Sequence, residues 1–148
     1  MPSTHTSLKY HIVFSTKERC SFIDEPWRPR FHAYLGGIIR TLNCVPLAVG
    51  GVADHIHILA GLPPTQSISN FVHDIKIAST KWVHSEIKLP IFSWQEGYGA
   101  FTVSSSNCDP VIKYILNQEE HHRVKTFQEE YLELLQKAGI EYDPRYLW

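Results

Sequence analysis

Two apolar runs separated by only two residues constrain this chain most. Val45-Pro46-Leu47-Ala48-Val49-Gly50-Gly51-Val52 and His55-Ile56-His57-Ile58-Leu59-Ala60 flank Ala53-Asp54. Both are rich in the β-branched and aliphatic residues that suit a pleated strand. So short a link leaves no room for a crossover, and the two runs predict an antiparallel hairpin. Pro46 has no N–H to give a ladder, which puts its run at an edge or a strand start.

The flanking patterns extend the hairpin into a plan. Tyr10-His11-Ile12-Val13-Phe14-Ser15 reads as an earlier strand. Pro26 opens a helical pattern that carries Phe31, Tyr34, Leu35, Ile38, Ile39 and Leu42 on one face. After Pro63-Pro64, Ser67 suits the N-cap of a second helix with Ile68, Phe71, Val72, Ile75, Ala78, Trp82 and Val83 inward. Tyr98 to Val103 reads as a fourth strand. Asp109-Pro110, a capping residue and a first-turn proline, opens a last helical pattern that runs to about Lys137 and stops at Gly139.

This order predicts an α+β fold, a ferredoxin-like or RRM-like βαββαβ antiparallel sheet with two helices on one face and a further C-terminal helix. Residues 1–148 read as one domain, with the sheet and covering helices over about 8–104 and the last helix and tail over about 109–148. A net charge of −1 offers no general attraction for nucleic acid, so any such function rests on a local surface. Met1-Pro2-Ser3-Thr4-His5 begins no signal peptide and no run is long and apolar enough to span a bilayer, which predicts a soluble cytoplasmic protein without a membrane partner. Cys20, Cys44 and Cys108 are far apart and form no CxxC pair, so they read as reduced.

In a strand, residues i and i+2 share a face. His55 and His57 therefore stand side by side, with Ile56 turned to the core behind them. Two neutral imidazoles make half of a metal site for an ion such as Mn, Zn, Fe, Co or Ni. The plainer reading is two polar positions on an exposed strand face. On the last helix, at about 100° per residue, Gln118 lies about 40° from Tyr114 and His121 about 20° from it on the other side. One helical face then presents a phenol, a carboxamide and an imidazole. Lys17, Arg19, Lys76 and Lys81 are candidates for DNA phosphate contacts, and each is equally well read as a solvated charge. Glu119, Glu120, Glu129 and Glu130 read as a solvated acidic face.

His-x-His on a strand followed by Tyr-x-x-x-Gln on a late helix resembles the single-tyrosine HUH transposases. These small enzymes, the REP-associated tyrosine transposases among them, move insertion sequences as single-stranded DNA. Tyr10 to Lys17, Asp54 to Leu59, Phe92 to Phe101, Tyr114 to Gln118 and Asp143 to Trp148 all read as family sequence, in family order, over essentially the whole chain. The resemblance implies that Tyr114 is the nucleophile on a helix after the sheet, and that His55, His57 and Gln118 ligate a divalent metal, Mg or Mn. It implies strand cutting and rejoining through a 5′-phosphotyrosine intermediate. The implied partners are single-stranded DNA with hairpin ends and a second copy of the chain, in a homodimer where the tyrosine acts in cis or in trans. Asp54 is an accessory candidate that would orient a metal histidine; His121 is another, toward the metal or a phosphate. The competing readings are a host-adapted relative that binds or nicks palindromic repeats, a non-catalytic ferredoxin-like DNA- or metal-binding module, and a metal-dependent hydrolase with a water nucleophile.

Overall fold

β1 (Lys9–Ser15) and β3 (His55–Gly61) lie antiparallel in the middle of a four-stranded sheet, with β2 (Val45–Gly51) and β4 (Gly99–Thr102) at its edges, in the order β2-β3-β1-β4. A computed structural model describes residues 3–122 and 125–147 of the protein; the side chains of His121 and Tyr146 are outside what it describes. β2 and β3 form the expected antiparallel hairpin, and Pro46 sits on an edge strand beside a register shift. The α+β class and the antiparallel sheet are as the sequence pattern predicts.

Opposed residues on antiparallel strands share a face. Phe14 opposes Ile56 and Ile12 opposes Ile58. These side chains pack beneath α1 (Arg28–Thr41) and α2 (Ile68–Trp82), against Phe31, Leu35, Ile39, Phe71 and Ile75. α1 starts two residues later than Pro26, and Pro29 occupies its first turn, where a missing N–H costs nothing. Ser67 caps α2 as expected, its Oγ accepting from the Asn70 N–H at 3.2 Å.

The other face is covered too, which corrects the expectation of one covered face. Val13 opposes His57 and Ser15 opposes His55, and all four are buried beneath α3 (Cys108–Leu116), α4 (Gln118–His121) and α5 (Phe127–Lys137). Ala48, Leu59, Cys108 and Ile115 form a small apolar cluster there. Gly50 lets α3 come this close: a Cβ at Gly50 would lie 2.2 Å from the Ile115 carbonyl oxygen.

The single helix expected to run to Lys137 is in fact three pieces. Its first turn begins at Cys108, so Asp109 lies inside that turn instead of capping it. A carboxylate there still complements the helix dipole. The chain leaves helical geometry at Asn117 (φ −102°, ψ 25°). α5 then restarts from a capping box, in which the Thr126 hydroxyl accepts from the Glu129 N–H and the Glu129 carboxylate reaches back to the Thr126 N–H. It ends beside Gly139, whose φ of 67° is a left-handed conformation that glycine adopts at least cost. Among the described residues, no helix is long and apolar enough to cross a membrane.

Candidate metal and nucleophile site

His55 and His57 are both fully buried, not exposed as the plainer reading of their strand had it. Each ring is held by its Nδ1. His55 Nδ1 lies 2.7 Å from Asp54 Oδ1, and His57 Nδ1 lies 2.8 Å from Nε2 of His11. Both Nε2 atoms therefore turn toward one point. Gln118 Oε1 lies 3.2 Å from His55 Nε2, and Glu130 Oε1 lies 2.9 Å from His57 Nε2 and 3.4 Å from His55 Nε2. His122 Nε2 is 3.2 Å from the same Glu130 oxygen. The second oxygen of Glu130 accepts a short hydrogen bond from the Tyr114 hydroxyl. Gln118 Nε2 donates to the Tyr114 carbonyl at 3.1 Å, which fixes the amide with its oxygen toward the histidines.

Charge follows burial and partners. Burial pushes His11 down to about 3 and His57 down to about 4, so both are neutral at ordinary pH. With one N–H each, His11 donates to His57 Nδ1 and His57 donates through Nε2 to Glu130. Burial would also lower His55, but hydrogen bonds to Asp54 and Glu130, and their charges, outweigh it and raise the ring to about 9. Burial alone would raise Glu130; hydrogen bonds from His122, His55 and His57 instead hold it well below the carboxylate range. Burial and the adjacent Glu130 carboxylate push the Tyr114 phenol above its ordinary value.

The donor set suits a divalent ion. Among the described residues, ligand atoms of His55, His57, His122 and Glu130 lie within 4.8 Å of one another, and Gln118 adds an amide oxygen beside them. Mixed imidazole and oxygen donors fit Mn and its transition-metal neighbours better than Mg, which prefers oxygen alone. The carboxylate of Asp54 on His55 Nδ1 is the partner that metal-bound imidazoles commonly have, and His57 can offer Nε2 to an ion once its proton moves to Nδ1, toward His11 Nε2.

The fold thus brings Asp54, His55, His57, Tyr114 and Gln118 together. Three participants were not singled out from the sequence. Glu130, read there as solvated, is 1% exposed. It falls three residues after Phe127 and four before Leu134, inside an apolar helical stripe, and that position was its signal. His122 follows Gln118 by one helical turn. His11 carries no local signal. The break at Asn117 resets the angular phase from which His121 was placed, and the His121 side chain lies outside the described residues. Lys76 and Lys81 ride on α2, behind the sheet. The Lys76 ammonium donates to the Gln95 and Gly97 carbonyls at 2.8 Å each, while Lys81 is exposed. Lys17 is exposed and Arg19 half-buried in the turn after β1.

Imidazoles on a central strand and a phenol from a following helix, meeting at one anion, make this an HUH-type centre. The chain belongs to the IS200-like transposase family: the profile of the family described as "Transposase IS200 like" matches residues 4–118. The transposase for insertion sequence element IS200 of Salmonella typhimurium is 32% identical over 132 residues, covering 82% of this chain and 83% of that protein. The ISDra2 transposase TnpA of Deinococcus radiodurans is 24% identical over 119 residues, covering 76% and 85%. A crystal structure of a candidate transposase from Deinococcus radiodurans R1 superposes with a TM-score of 0.64 at 26% identity, over 80% of this chain and 95% of that one. A REP-associated tyrosine transposase bound to a REP hairpin shares the fold, with a TM-score of 0.55 at 15% identity over 78% and 70% of the two chains.

Proposed function

We propose that this transposase cuts and rejoins single-stranded DNA at insertion-sequence ends through a 5′-phosphotyrosine bond to Tyr114, with a divalent Mg or Mn ion held by His55, His57 and Gln118. One observation carries this reading. The Tyr114 hydroxyl and His57 Nε2 bind the two oxygens of one carboxylate, so nucleophile and imidazoles stand a single three-atom anion apart. That is also the span between two oxygens of a phosphodiester.

A bound divalent ion supplies Lewis-acid offset of the phosphate charge. Asp54 and His11 hold the two imidazoles in place, and Gln118 ties the amide to the helix of the nucleophile. The Tyr114 oxygen attacks phosphorus; an O–P bond forms and the bond from phosphorus to the 3′-oxygen breaks. The phenol proton passes to solvent, and the 3′-oxygen leaves as a hydroxyl after taking up a proton. The tyrosyl ester keeps the energy of the phosphodiester, so a second 3′-hydroxyl reverses the step without a nucleotide cofactor. Tyr114 faces histidines of its own chain, which favours attack in cis. Hairpin-bearing ends are the expected DNA partner, in line with the REP hairpin held by the structural relative, and the family resemblance makes a homodimer the expected assembly. Such a protein would work in the cytoplasm, where its DNA is.

The test is a denaturing gel of 3′-labelled single-stranded DNA from sequence flanking the gene, incubated with Mn and either the wild type or Tyr114→Phe. A protease-sensitive adduct is expected with the wild type and absent with the variant. Cutting without an adduct would make the protein a hydrolase, and binding without cutting would make it a non-catalytic DNA-binding module.

A further inference from the structure

The family match ends at residue 118, yet the groups of the site converge on a residue beyond it. Glu130 Oε1 lies 2.9 Å from His57 Nε2 and also faces His55 and His122; the other carboxylate oxygen binds Tyr114. The carboxylate thus lies between the nucleophile and the imidazoles, which is where a scissile phosphate has to sit. Two anions do not share that position. Access is closed as well: His55 and His57 are fully buried, and Gln118 and Glu130 are each 1% exposed.

The element that closes it is separable from the sheet. Of the eleven residues of α5, only Phe127, Glu130 and Leu135 are buried. Phe127 stacks on His55, ring centroids 4.5 Å apart, and the Tyr131 ring lies against Gly99, where a Cβ would come within 2.9 Å of it. The approach to α5 is tied down by His122 Nδ1, which donates to the Lys125 carbonyl at 2.7 Å, and by the Lys125 ammonium, 2.6 Å from a Glu133 oxygen. Catalytic metal sites keep a coordination position open, whereas a full set of protein donors is the mark of a structural site. With His122 and Glu130 added to His55, His57 and Gln118, five protein donors crowd the point and leave an octahedral ion a single position.

We propose that α5 carries a built-in competitor of the substrate: Glu130 occupies the place of the scissile phosphate, taking a coordination position of the metal with one oxygen and holding the Tyr114 hydroxyl with the other, until single-stranded DNA displaces it. The inference rests on the metal-dependent reading proposed above. His55, His57 and Gln118 are then the working ligands, and Glu130, with His122 beside it, belongs to the resting state.

The test uses the full-length chain and Mn2+ as probe. Calorimetry gives Mn2+ affinity, and water-proton relaxation at saturating Mn2+ reports whether water reaches the ion. The wild type should bind Mn2+ with little relaxation enhancement. Glu130→Ala should bind it more weakly, by about tenfold or more, with a several-fold larger enhancement. Inorganic phosphate should then lower that enhancement in the variant and leave the wild type unchanged. At saturating Mn2+ the variant should also cut single-stranded DNA faster than the wild type. Equal enhancement in the two proteins, or slower cutting by the variant, overturns the proposal. Glu130→Gln keeps the side-chain volume and answers the same questions if the alanine variant does not fold. Equal Mn2+ binding by wild type and His57→Ala would instead sink the underlying metal reading, and so tells the two failures apart.

Discussion

Phe14 and Ile56 leave the sheet on one side, and their chain neighbours Val13 and His57 leave it on the other, so the same two strands serve two unlike interiors. Beneath α1 and α2 the contacts are apolar and non-directional, the kind of packing that tolerates small shifts. Beneath α3, α4 and α5 the interior holds imidazoles, a carboxylate, a phenol and an amide. Buried polar groups are costly unless each finds a partner, and here they find one another at specific atoms. Stability and chemistry are thus assigned to opposite faces of one sheet. The apolar face holds the strands rigid, and that rigidity keeps His55 and His57 in register.

The sharpest way to break this division is Phe31→Ala. Phe31 is fully buried among the rings of Trp27, Trp82, Phe92 and Trp94. Urea unfolding should show a loss of about 3–5 kcal/mol. Mn2+ affinity of the folded protein should stay within about twofold, because sites with no shared partners act independently. A large drop in affinity would mean that the two faces are coupled. A smaller effect is expected from Gly50→Ala, on the site face, where the added methyl meets the Ile115 carbonyl. Stability should fall by about 1–3 kcal/mol from overpacking. DNA cutting should fall further than stability does, because α3 carries Tyr114. Wild-type cutting rates in that variant would show that this contact does not set the position of Tyr114.

The smallest effect belongs to His32, on α1. Its Nε2 is buried without a hydrogen-bond partner, in contrast to the paired His55 and His57. Burial and the nearby Arg28 charge push it down from 6.5 to about 4. The unfolded chain therefore binds a proton that the folded chain refuses. The contribution of neutral His32 is fully present above about pH 6.5, erodes as pH falls toward 4, and levels off below that. His32→Leu should flatten the stability profile between those limits, read by urea titrations at pH 7 and pH 4.5. An unchanged slope would remove His32 from the account.

How much was legible depended on how local each signal was. The hairpin, the Ser67 cap, the shared face of His55 and His57, and the turn-spaced Tyr114 and Gln118 were all readable, because each depends on residues within a few positions of one another. The break at Asn117 was not readable from apolar periodicity, since the pattern continues across it while the backbone does not. The restart at Thr126-Phe127-Gln128-Glu129 did carry a capping-box signature, and it outranks the apparent continuity of the pattern. Lys76 shows the opposite case. It looked available for a phosphate, but its ammonium is committed to two loop carbonyls that only the folded chain brings to it.

Strand parity pairs the two imidazoles, one helical turn adds a phenol and an amide, and the family profile matches as far as residue 118, all from the order of residues alone. Only the folded chain shows that these groups are buried, that His11 steadies His57, and that Glu130 stands between the Tyr114 phenol and the histidines. Periodicity tells which way a side chain faces. What meets it there comes from elsewhere in the chain: Glu130 reaches His57 across 73 residues, and a carboxylate becomes an interior group only where folding has already gathered the donors that hold its charge.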